Sequence, residues 1–146
     1  MYRELIMETV SNGEPVRFGA PCSEQEIEAA EKVIGYAFPQ ELRRLLGEIN
    51  GDGWLLLSLD QMIETVQLNR TYFKECFDSP EEYEDRIGRH IFFAGNGCGD
   101  YYCYRVGEDG KTDESAIMIW EHELFETRYA AKNIADLIGK YYRSEI

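Results

Sequence analysis

Apolar residues recur along this chain in two rhythms. The first is helical. Ile27, Ala30 and Ile34 share one face of a segment opened by Ser23-Glu24-Gln25-Glu26, a capping box whose hydroxyl and carboxylate satisfy orphan backbone donors, and Gly35 closes it. Leu42, Leu45, Leu46 and Ile49 repeat the core-facing spacing over 39–49, with Pro39 opening the helix and Asn50-Gly51-Asp52-Gly53 stopping it. Leu59, Met62, Ile63 and Val66, extended by Phe73 and Phe77, predict a helix over 59–75 capped by Ser58 or Asp60. Ile134, Leu137, Ile138 and Tyr141 predict a last helix over 133–143, capped by Asn133. A weaker pattern, Leu5, Ile6 and Val10, suggests a short first helix over 3–10, broken by Asn12-Gly13-Glu14-Pro15. Residues 15–22 read as an irregular connection.

The second rhythm is pleated. Ile91 to Tyr104 holds two runs rich in aromatic and branched residues around a turn with Asn96, Gly97 and Gly99. Such runs suit strands, and the turn residues tolerate the positive φ of a tight reversal. Strands are expected over 91–95, 100–106 and 116–120, with a short apolar strand at Trp54-Leu55-Leu56-Leu57 and an edge strand over 124–129. Alternation sets Ile117 and Ile119 opposite Met118 and Trp120, and Tyr102 and Tyr104 opposite Tyr101. Glu75 to Ile87 carries six acidic residues and one arginine and reads as a solvated loop. Helices first, strands clustered later and a closing helix argue for an α+β fold with a central antiparallel sheet flanked by helices. At 146 residues the chain is expected to be a single domain, 1–146, able to bury a core without disulfide or metal.

Charge changes this picture more than composition does. The 28 acidic and 15 basic residues give a net charge of -13. Such a surface repels phosphate backbones and favours a basic protein partner over direct nucleic-acid contact. No run is long enough for a membrane span, and no signal-peptide pattern opens the chain, so a cytoplasmic location is expected.

Candidate chemistry is sparse. Cys22, Cys76, Cys98 and Cys103 lack CxxC spacing and read as reduced thiols. His90, Cys98, Asp100, Cys103 and His122 do not show the close ligand pairs of a zinc site, so no metal and no cofactor are expected. Cys98 in its glycine turn and His122 between Glu121 and Glu123 are the nearest approach to a nucleophile and base, which keeps a cysteine- or metal-dependent enzyme as a third reading. Gly97, Gly99 and Asp100 read as a structural turn, the carboxylate accepting from turn amides. The partner-binding candidates are Tyr101 and Tyr104, as aromatic anchors, and the acidic Glu82, Glu84, Asp85, Glu108 and Asp109.

Four stretches in order resemble the SUKH superfamily of the Smi–Knr type. They are Phe38-Pro39 with Leu42, Leu45 and Leu46; Asn50-Gly51; Gly97-Cys98-Gly99-Asp100 with Tyr101-Tyr102-Cys103-Tyr104; and Ile117 to Glu123. The likeness runs from about Ser23 to the final helix. It implies an α+β domain without known catalytic residues. In bacteria it implies a cytosolic antidote that binds and neutralises a toxin, often a nuclease. In fungi it implies a regulator of glucan synthesis, where the domain sits in much longer proteins with disordered flanks. The shortness of this chain favours the bacterial role of toxin immunity, with the regulatory or scaffold role as the alternative. Arg105 departs from the family, which commonly places an acidic residue a few positions after the glycine–aspartate step.

Overall fold

The computed structural model describes residues 1–10 and 15–146. The Asn12-Gly13-Glu14 part of the expected first break lies outside them. In chain order the elements are α1 (Tyr2–Thr9), α2 (Glu24–Ile34), α3 (Gln40–Leu46), α4 (Leu59–Phe73), α5 (Pro80–Tyr83), a π-helical turn (Glu84–Gly88), β1 (His90–Gly95), β2 (Tyr101–Arg105), β3 (Ile117–Glu121), β4 (Glu126–Ala131) and α6 (Ile134–Tyr142). The strands form one antiparallel sheet in the order β1-β2-β3-β4. The architecture is α+β, a sheet flanked by helices.

Local chemistry sets the helix ends. Ser23 and Ser58 both complete reciprocal capping boxes, with Glu26 and Gln61. Gly35 closes α2 at φ 102°, where a side chain would be strained. Pro39 stands just before α3 as its N-cap, and the helix ends at Leu46, short of the expected Ile49, which is nonetheless fully buried. The edge strand runs two residues later than expected, because Phe125 takes a positive φ of 53° and ends the reversal after β3. On α6 the deeply buried ring is Tyr142, one position past the expected Tyr141.

The sheet separates two cores. One face carries Ile91, Phe93, Tyr102, Tyr104, Ile117 and Ile119 against all the long helices. The other carries Phe92, Cys103 and Trp120, covered by Tyr83, Ile87, Phe73, Phe77 and Phe125. The covering stretch corrects the expectation of a solvated loop over 75–87. Ser79 accepts from the Glu82 amide with Pro80 in the first turn, starting α5, and Tyr83 and Ile87 turn inward four residues apart. The Trp120 indole donates to the Arg86 carbonyl at 2.8 Å, fixing the π turn to β3.

The Asn50–Gly53 turn ties the ends of the chain together. Asp52 is fully buried; its Oδ1 accepts from the amides of Trp54 (2.9 Å) and Leu56 (2.8 Å), and its Oδ2 from the Tyr142 hydroxyl. Gly19 lies against this turn so closely that a Cβ there would stand 2.1 Å from the Asn50 carbonyl oxygen. Trp54–Leu57, expected as a strand, makes a single bridge, Leu56 to Ala94; Leu55 and Leu57 cover the outer edge of β1, and Trp54 is exposed.

Candidate functional site

Two regions collect the exposed chemistry. The first is the glycine turn. Gly97 and Gly99 have φ of 78° and 95°, and the Asn96 side chain accepts from the Cys98 amide at 2.8 Å. Asp100 accepts from the His122 amide (3.1 Å), the His122 ring (2.7 Å) and the Asn96 side-chain amide (3.2 Å). It therefore joins the β1–β2 turn to the β3–β4 turn, where accepting from the amides of its own turn had been expected. Burial pushes the Asp100 carboxyl up, but the His122 and Asn96 hydrogen bonds outweigh it and hold the group below the usual range. The imidazole lies flat against Gly99, where a Cβ would come within 3.0 Å of the ring. Asp100→Ala should cost ~1–3 kcal/mol, because it strands these donors. Urea unfolding checks this, and an unchanged midpoint would remove the structural role.

The same turns line a cleft of about 390 Å³ with Cys98, Asp100, Glu121, His122, Glu123 and Leu124. Asp100 orients the ring nitrogen Nδ1, yet no hydrogen bond joins Cys98 to His122, so nucleophile and base are not coupled. Cys22 and Cys103 are buried, and burial pushes both thiols up, the former to about 11. No group of three or more potential metal ligands lies together among the described residues.

The second region is the corner made by the outer face of α4 and the turn into α5. Leu68 and Tyr72, one helical turn apart, are 46% and 66% exposed. Glu64, one turn before Leu68, and Glu75, three residues after Tyr72, are exposed, as are Asp78 and Glu81 in the turn into α5, with Glu82 half-exposed. The corner is rigid because Phe73 and Phe77 turn inward to the second core, their rings 5.4 and 5.5 Å from Phe125. An apolar pair rimmed by carboxylates on a fixed base has the anatomy of a protein-binding patch.

The expected binding residues are not all gathered there. Tyr104 is buried at 1% exposure, and its hydroxyl donates to Glu41 at 2.6 Å; it belongs to the core and is not available to a partner. Tyr101 is half-buried against Phe92 and Trp120 in the second core. Glu84 folds back over Gly88, where its carboxylate occupies the space a Cβ would take, and lies 3.5 Å from the Tyr36 hydroxyl. Asp85 is exposed and pairs with Arg89 at 3.5 Å. Glu108 and Asp109 are exposed on the β2–β3 connection, where Asp109 accepts from the Lys111 amide. Leu68 and Tyr72 were missed because exposed apolar residues in a helix have no signature apart from falling off the buried stripe.

At the start of β1, His90 is buried, stacked on Phe92, with Nδ1 2.9 Å from the Ile87 carbonyl oxygen. Burial lowers its pKa to about 4, assisted by the Arg105 and Arg89 charges and opposed by the Ile87 bond and Asp85. The folded state therefore holds the neutral ring, and the unfolded chain takes up a proton first. The stabilising contribution is complete above pH ~6.5 and is lost as pH falls towards about 4, amounting to about 3 kcal/mol. Urea titrations of wild type and His90→Gln across that window should diverge by this slope; parallel curves would contradict it.

The described residues thus present an acidic, aromatic-tipped corner on an α+β domain and a polar cleft in which no hydrogen bond joins Cys98 to His122. Residues 21–140 match the model of the SMI1 / KNR4 family (SUKH-1), and the chain belongs to that family. No curated protein matches the chain. Among the described residues, no helix is long and apolar enough to cross a membrane.

Proposed function

We propose that the protein is a cytoplasmic immunity protein that neutralises a basic toxin domain, a nuclease being the best chemical fit, by covering its active cleft. The observation that carries this reading is the exposed Leu68–Tyr72 pair in a stretch of chain that also exposes Glu64, Glu75, Asp78 and Glu81. A nuclease holds phosphates with Lys and Arg, so its cleft is positive. The net charge of -13 attracts such a cleft at long range and raises the association rate. Charge alone gives speed; the tyrosine and leucine supply the short-range contacts that slow release. Glu108 and Asp109 add to the field.

The test expresses the toxin domain encoded beside this gene in cells with and without the protein. Rescue supports the reading. Equal killing in both, or the absence of a toxin-like neighbour, defeats it and leaves the regulatory role that the family also contains. Within a positive result, Tyr72→Ala should weaken binding by on the order of 2 kcal/mol and leave urea unfolding unchanged, because the ring is 66% exposed. Raised ionic strength should slow association far more than it speeds dissociation.

A further inference from the structure

The sheet has one open edge. On the β1 side, Leu57 donates to the Phe93 carbonyl and Gly95 to that of Leu55, both at 2.9 Å, so that edge is covered. On the other side the strand order ends at β4, and among the described residues no strand pairs with its outer edge. Glu126, Arg128 and Tyr129 are exposed there, Tyr129 to 54%. The strand contains no proline or lysine, residues that commonly protect an edge. Lys140 donates to the Ala130 carbonyl at 3.3 Å, so the open stretch is Glu126 to Tyr129.

We propose that β4 pairs antiparallel with β4 of a second copy, joining two sheets into one about a two-fold axis at Thr127. The register follows from charge. With Thr127 opposite Thr127, Glu126 of each copy is paired with Arg128 of the other. A shift of one residue puts each of these charges opposite a neutral residue. A shift of two puts Arg128 opposite Arg128 or Glu126 opposite Glu126. Both charged side chains have capacity to spare. Arg128 is 65% exposed and engaged through Nε alone, to Glu121 at 2.7 Å; Glu126 is 62% exposed and 3.8 Å from Arg86. The long-range repulsion between two chains of net charge -13 is screened over ~8 Å at physiological salt, whereas cross-strand pairs act within contact distance. This pairing uses neither Leu68 nor Tyr72, so it stands or falls independently of toxin binding.

Sedimentation equilibrium of the full chain over a protein concentration series at physiological salt tests it. Wild type should show a reversible monomer–dimer equilibrium. Arg128→Glu and Glu126→Arg, each checked for unaltered folding by circular dichroism and urea unfolding, should each weaken self-association about tenfold or more. An equimolar mixture of the two variants should restore dimers, because each then meets a partner of opposite charge at both positions. Wild type that stays monomeric throughout overturns the proposal and leaves the edge to a foreign strand. Dimers indifferent to either reversal, or a mixture that fails to restore them, overturn the register and with it the proposal.

Discussion

Asp52→Ala is expected to destabilise the protein by ~3–5 kcal/mol, enough to unfold a marginal domain near body temperature. The carboxylate is fully buried and receives the amides of Trp54 and Leu56 and the hydroxyl of Tyr142. Alanine leaves the buried Leu56 amide and Tyr142 hydroxyl and the part-buried Trp54 amide without this partner, so the desolvation cost of the first two appears in full. Tyr142→Phe, which removes one donor and leaves the acceptor its two amides, should cost ~1–2 kcal/mol. Urea midpoints of the two variants give the comparison. If Asp52→Ala unfolds no more readily than Tyr142→Phe, the carboxylate is not the acceptor that holds the Asn50–Gly53 turn to α6.

Trp120→Ala is expected to cost ~3–5 kcal/mol and to loosen the α4–α5 corner as well. Trp120 is 2% exposed, packs on Phe92 at 5.2 Å between ring centroids and on Phe125 at 5.8 Å, and holds the Arg86 carbonyl. Its loss leaves a large cavity in the smaller core and frees the π turn. Near-ultraviolet circular dichroism should fall, and partner binding through Tyr72 should weaken although Tyr72 is untouched. Full retention of binding by a destabilised Trp120→Ala protein would place the interface elsewhere.

These effects fall where the sequence is easiest and hardest to read. Helix caps were legible at Ser23, Ser58 and Asn133 because hydroxyl or amide side chains three residues before an acceptor or amide have one dominant use. The sheet was legible because the runs expected as strands over 91–95, 100–106 and 116–120 are rich in aromatic and branched residues about a glycine turn, and each overlaps an observed strand. The smaller core was not legible. Its cover, 75–88, is charged at half its positions and apolar at few, so composition outweighs spacing; yet Ser79-Pro80 is a helix start, and Tyr83 and Ile87 stand at i, i+4. The π turn follows from packing against Trp120, a contact between residues 34 apart that no local pattern encodes. Alternation separated Tyr102 and Tyr104 from Tyr101 but did not reveal that both faces of the sheet are covered. That is why Tyr104, expected as an anchor, is buried against Glu41.

Glu41 and Asp52 have a bearing on how the chain is made. Glu41 accepts from the Ile134 amide, 93 residues downstream, and Asp52 from the Tyr142 hydroxyl, 90 residues downstream. Both carboxylates are synthesised well before the residues that partner them. α2 to α4 thus emerge from the ribosome before α6, and these two bonds wait until Ile134 and Tyr142 have followed. Contacts so far apart in sequence are slow to form, so the docking of α6 is expected to come late in folding.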